Sequence, residues 1–135
     1  YLIGRSTRTN KEGAEFLASH VNKDGYDVEF IEVPNSTLHL TTICSSPREG
    51  TIIAAEGHLK ESQISKFAEE IIWIPNNESY ASNTIGYSND RLIVAAGFPK
   101  TKNILQNEGF RLMSVDMAPI MQADGSLTCL SVYTS

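Results

Sequence analysis

The sequence predicts an α/β fold assembled from repeated strand-strand-helix-strand units, on three observations. Short apolar strands alternate with helical segments through most of the chain. The segment Ile52-Ile53-Ala54-Ala55 recurs as Ile93-Val94-Ala95-Ala96, an offset of 41 positions that marks repeated supersecondary units. A length of 135 residues with 41% hydrophobic content is enough for one modest domain with a real core.

Each element has a local cause. Leu2-Ile3-Gly4 opens an apolar strand. Asn10 can cap a helix from Lys11 to Asn22, in which Ala14, Leu17, Ala18 and Val21 recur at helical spacing, and Gly25 stops it. Val28 to Val33 alternates as a strand, so residues 1–33 read as a unit lacking its first strand. Strand Thr37 to Ile43, a turn over Ser45-Ser46-Pro47-Arg48-Glu49-Gly50, strand Thr51 to Ala55, a helix from Lys60 to Ala68 and strand Ile71 to Ile74 form a complete unit, 37–74. Strand Ser82 to Tyr87, the turn Ser88-Asn89-Asp90, strand Leu92 to Ala96, a helix from Lys100 to Asn107 closed by Gly109, and strand Phe110 to Val115 form the next, 82–115. An Asp124-Gly125 turn then feeds a last apolar strand, Leu127 to Val132, which belongs to no unit. An array that starts mid-unit and ends on an orphan strand leaves apolar faces and edges open, so self-association is expected. Tyr1 opening directly into a strand fits a chain cut from something longer.

Composition narrows the function classes. The formal net charge is −5, and the only basic cluster is Arg5, Arg8 and Lys11, so no nucleic-acid partner is expected. No apolar run approaches the roughly 18 residues of a membrane span, so no membrane partner is expected. The two cysteines lack metal-ligand spacing; no metal, cofactor or disulfide framework is expected, and a reducing compartment, the cytoplasm, is the expected location.

Two residues carry candidate chemistry. Cys129 is delivered by a turn and held on a strand, which suits a nucleophile that must be placed rigidly. His39, in Thr37-Leu38-His39-Leu40-Thr41-Thr42, is the matching imidazole far upstream.

Five segments, two of them holding these residues, give the context. Gly4-Arg5-Ser6-Thr7-Arg8-Thr9-Asn10 with Glu12-Gly13-Ala14, then Leu38-His39-Leu40, Glu78-Ser79-Tyr80-Ala81-Ser82-Asn83, Ala96-Gly97-Phe98-Pro99-Lys100-Thr101, and Asp124-Gly125-Ser126-Leu127-Thr128-Cys129 occur in that order. From Tyr1 to Val132 the chain resembles the C-terminal half of a dimethylarginine dimethylaminohydrolase, a member of the guanidine-modifying pentein superfamily. The resemblance implies a partial five-bladed ββαβ propeller, about half of the full ring, with Leu127 to Val132 as the ring-closing strand. A complete member would be roughly twice as long.

The chemistry the resemblance implies is hydrolysis of Nω-methylated arginine to citrulline and methylamines, with no cofactor. Cys129 matches the nucleophile, which forms a covalent alkylthiouronium with the guanidinium carbon. His39 matches the general acid and base. Arg8 corresponds to an arginine that binds the substrate α-carboxylate, a task suited to its donor fork. Ala123 corresponds to a position whose backbone carbonyl receives the α-amino group. The carboxylates that hold the guanidinium belong to N-terminal units, so the isolated chain is expected to be a poor enzyme or none without that half.

Other residues read as structural: Asp124 and Gly125 as turn formers, Cys44 as a packed thiol, His20 and His58 as histidines with no partner at useful spacing, Trp73 as core or interface, and Asn83 as a holder of backbone between units. Two alternatives stay open. One is arginine deiminase or amidinotransferase activity on the same fold; the other is a non-catalytic, self-associating half-propeller.

Overall fold

Parallel strands need a crossover to join them, and the first such crossover is built on two alanines. In the computed structural model, which describes residues 1–88 and 90–132, the chain divides into two units, Tyr1–Leu40 and Thr41–Ser135. In the first unit β1 (Leu2–Arg5) pairs in parallel with β2 (Glu29–Glu32), Leu2 opposite Glu29. Between them runs α1 (Lys11–Lys23), whose first turn is capped by the Asn10 side chain accepting the Gly13 N–H at 2.9 Å. Ala14 and Ala18, one turn apart, are buried with Ile3, and Val28 packs beside them. Small side chains bring this helix face close to its neighbours. Leu17, expected on the same face, is instead 51% exposed.

The second unit repeats one pattern twice. β3 (Cys44–Arg48), β4 (Thr51–Ala55), α2 (Glu61–Ile64) and β5 (Glu70–Ile74) are followed by β6 (Ile85–Tyr87), β7 (Arg91–Ala95), α3 (Pro99–Asn107) and β8 (Arg111–Val115). In both mixed sheets the middle strand pairs antiparallel with the first and parallel with the third. β4 and β7 start 40 positions apart rather than 41. The register decides this: Ala55 and Ala95 end their strands, and Gly57 and Gly97 follow at φ of 77° and 93°. A one-residue slip would turn each side chain to the opposite face.

The two repeats share a core of Ile53, Ile72 and Ile74 from one with Leu92, Val94, Leu105 and Phe110 from the other. Their seam is polar as well. The Ser45 hydroxyl donates to the Ser82 carbonyl at 2.6 Å and lies 2.7 Å from Thr84 Oγ1. Arg48 sits over the Phe110 ring, 4.5 Å from its centroid, while its guanidinium donates to Glu70 at 3.0 Å and Asp90 at 2.9 Å.

Several predicted elements differ. Thr37 to Ile43 forms no strand: a turn closed by Thr37 N–H to the Pro34 carbonyl at 2.8 Å precedes it, and Leu40–Thr42 is a 3₁₀ turn. Residues 45–48, read as turn, instead belong to β3, which pairs with β4 through a register shift between Ser45 and Arg48. The predicted helix 60–68 splits into α2 and a 3₁₀ turn, Ser65–Phe67. β6 starts only at Ile85, because Asn76–Ser82 coils as 3₁₀. In the turn Ser88-Asn89-Asp90, Asn89 lies outside the described residues. An unforeseen helix, α4 (Ala118–Gln122), follows β8; with five residues and Pro119 in its first turn it offers no periodicity to read. Among the described residues no helix is long and apolar enough to cross a membrane.

Candidate active site

The segment after α4 places the thiol. The Ala123 and Gly125 N–H groups both donate to the Ile120 carbonyl, at 3.0 and 2.9 Å, and Asp124 takes a φ of 57°. Gly125 is packed so closely that a Cβ would lie 2.6 Å from Ile120 Cγ2. The predicted strand Leu127 to Val132 is absent; Leu127–Leu130 is a 3₁₀ turn. Its bonds are local, with Cys129 N–H to the Ser126 carbonyl at 3.1 Å and the Ser131 hydroxyl to the Leu127 carbonyl at 2.7 Å, so no ladder forms. Leu127 is buried and anchors the turn, while Cys129 is exposed with Sγ 3.3 Å from Ser126 Oγ. The thiol on this anchored turn is open to solvent. Cys44 is the opposite case: burial pushes its thiol up to about 12, which leaves it protonated and inert.

The Asn76–Ser82 coil and Asn83 after it supply the support. Asn83, 1% exposed, accepts the Thr128 N–H at 3.1 Å, and its amide donates to Thr128 Oγ1 at 2.8 Å and to the Thr41 carbonyl. The Tyr80 hydroxyl donates to the Gly125 carbonyl at 2.8 Å, and its ring stacks on Phe98. Burial, and secondarily the charge of Cys129, hold that phenol above its usual range. The sequence signal for these residues is the Glu78-to-Asn83 motif, which marks the segment without revealing what each side chain grips.

Glu78 works at the opposite side of the same coil. Its buried carboxylate accepts the Lys100 and Thr101 N–H groups and the Thr101 hydroxyl, at 3.2, 2.7 and 2.8 Å, capping α3 from outside its own chain segment. Burial alone would raise its pKa; the Thr101 and Lys100 hydrogen bonds outweigh it and hold the carboxyl below the usual 4.5. A depressed folded value contributes stability that is present above the unfolded pKa and is lost as pH falls through the folded one. Glu78→Gln should therefore cost about 2 kcal/mol at neutral pH. Urea midpoints should show the gap from the parent closing as pH is lowered below 4.5, whereas a gap constant with pH would contradict the assignment.

The first unit holds the other predicted residues. Arg8 and His39 are both exposed. Ser6 links their segments: its hydroxyl accepts the Arg8 N–H at 3.1 Å and donates to the carbonyl of Leu38, the residue before His39, at 2.7 Å. Beside them is a cleft of about 360 Å³ lined by Ser6, Thr7, Thr9, Asn35 and the Arg5–Glu32 ion pair. Thus Arg8 and His39 lie on tied segments of one unit, and Ala123 and Cys129 lie on one continuous segment of the other. A second cleft, of about 330 Å³ between β7 and α3, contains none of the four.

This fold is an α/β architecture shared with guanidine-modifying enzymes. A dimethylarginine dimethylaminohydrolase of Pseudomonas aeruginosa is 33% identical over 132 residues, which cover 98% of this chain and 50% of that protein. A solved structure of the P. aeruginosa enzyme, a cysteine-to-serine variant complexed with citrulline, superposes with a TM-score of 0.83 at 32% identity over 94% of this chain and 48% of that one. An amidinotransferase of the saxitoxin pathway from Microseira wollei shares the fold with a TM-score of 0.82 at 22% identity, covering 95% of this chain and 42% of that one. The chain is homologous to the dimethylarginine dimethylaminohydrolases and spans about half the length of the curated relatives it matches. No family model matches it.

Proposed function

We propose that this chain carries the nucleophile-bearing part of an enzyme that hydrolyses Nω-methylated arginine to citrulline and methylamines. The observation that carries the reading is an exposed thiol on a turn held at several points, in a chain homologous to such hydrolases along nearly its whole length. In this reading the Cys129 thiolate attacks the guanidinium carbon and the methylamine leaves with a proton donated by His39. Water, deprotonated by His39, then releases citrulline from the alkylthiouronium. Arg8 holds the α-carboxylate and the Ala123 carbonyl receives the α-amino group. The guanidinium still needs carboxylates, so the partner is a complementary N-terminal half that completes the propeller ring; alone, the chain turns over slowly or not at all. The expected location is the cytoplasm.

The test combines the chain with that N-terminal half and supplies asymmetric dimethylarginine and arginine in separate assays. Citrulline with dimethylamine from the methylated substrate is the expected result. Faster ammonia release from arginine would favour a deiminase, transfer of the amidino group to an added amine would favour an amidinotransferase, and a stable inactive symmetric dimer would favour a binding scaffold.

A further inference from the structure

We propose that Asn83 is a positioning residue for the Cys129 nucleophile, its one carboxamide coupling the turn that carries the thiol to the backbone at Thr41. This rests on the hydrolase reading for the role of the thiol, and on geometry for the rest. Asn83 uses both ends of its side chain. Oδ1 takes the Thr128 N–H at 3.1 Å, and Nδ2 donates to Thr128 Oγ1 at 2.8 Å and to the Thr41 carbonyl. One contact immediately precedes Cys129 in the chain, and the other follows His39 by two positions. Tyr80 adds a hold at the start of the same turn through Gly125, four positions before the thiol.

A buried primary amide with its oxygen and both donor sites engaged is fixed in orientation. It therefore fixes what it binds. Cys129 itself has little packing to steady it, since it is exposed and its neighbour Leu130 is 64% exposed. Removing the amide leaves the turn tied to the rest of the fold by Tyr80 at Gly125 and, around the thiol, by short-range bonds, so the thiol keeps its accessibility and loses its aim. A displacement of about 1 Å at a reacting atom is enough to cost on the order of 100-fold in rate.

The experiment compares alkylation of Cys129, in the chain combined with the N-terminal half, by chloroacetamidine, a cationic mimic of the substrate head group, and by neutral iodoacetamide, which needs only access. In Asn83→Ala the ratio of the two rate constants should fall about tenfold or more, with the iodoacetamide rate unchanged or higher. Thr128→Val, which removes a single acceptor and keeps the N–H, should lower the ratio less and serves where Asn83→Ala does not fold. A ratio unchanged in a folded variant overturns the proposal. Should the completed parent enzyme show no preference for the amidine, the hydrolase reading fails on its own, and hydrogen exchange decides the positioning claim. Faster exchange at the Thr128 and Cys129 amides in the variant, with β7 unaffected, then supports it; uniform acceleration or none overturns it.

Discussion

Cys129→Ser should lower citrulline release by the completed enzyme by about 10³-fold or more. A serine hydroxyl at that position is a far weaker nucleophile than a thiolate, and the polar neighbour of the sulfur, Ser126 Oγ at 3.3 Å, is itself a hydroxyl and no base. The substitution should leave folding intact, because Cys129 is exposed and its turn is held through Thr128, Gly125 and Leu127 rather than through the sulfur. A continuous citrulline assay with a parallel thermal melt separates the two effects. Loss of turnover with an unchanged melt is expected. Undiminished turnover in the serine variant would remove Cys129 from the mechanism.

Gly86→Ala should produce the largest loss of stability from a single methyl group. A Cβ at Gly86 would stand 1.9 Å from the Pro47 carbonyl oxygen and 2.6 Å from its carbon. The obstructing atoms are backbone, so no rotamer change relieves them. Relief requires β3 and β6 to separate, and with them the Ser45 hydrogen bonds to Ser82 and Thr84 that close the seam between the two sheets. A cost of about 3 kcal/mol follows, at the upper end of what overpacking produces. Urea denaturation should show a lower midpoint of that size; a midpoint within about 0.5 kcal/mol of the parent, the scatter of ordinary surface changes, would show that the seam is looser than this contact.

Much of the scaffold was legible in the chain because it rests on short-range rules. Asn10 as a cap, the buried strand Thr51–Ala55 and the helix expected from Lys100, which begins one residue earlier at Pro99, follow from residue type and periodicity. The strand-strand-helix-strand repeat was visible in its apolar cores, although the alanine pairs drew the offset one position too far. What failed depends on distant partners. Thr37 to Ile43 and Leu127 to Val132 have the β-branched and apolar content of strands, yet the first is diverted by a turn at Pro34 and the second is captured by Asn83, 45 positions away along the chain. The same distance hides the supports of the site. Nothing near Glu78 says that it caps a helix 22 positions on, and nothing near Tyr80 says that it holds Gly125. Cys129 and Cys44 could be told apart by motif alone, and their opposite burial gives that distinction a physical basis.

In the proposed reaction the Cys129 sulfur bonds to the guanidinium carbon and a methylamine is expelled. Acid-quenching the completed enzyme during turnover of asymmetric dimethylarginine, followed by peptide mass mapping, tests it directly. A thiouronium adduct is expected on the peptide containing Cys129, absent in Cys129→Ser and never on Cys44. Citrulline formed at full rate with no adduct on Cys129 at any quench time, or with the adduct on Cys44, would contradict it.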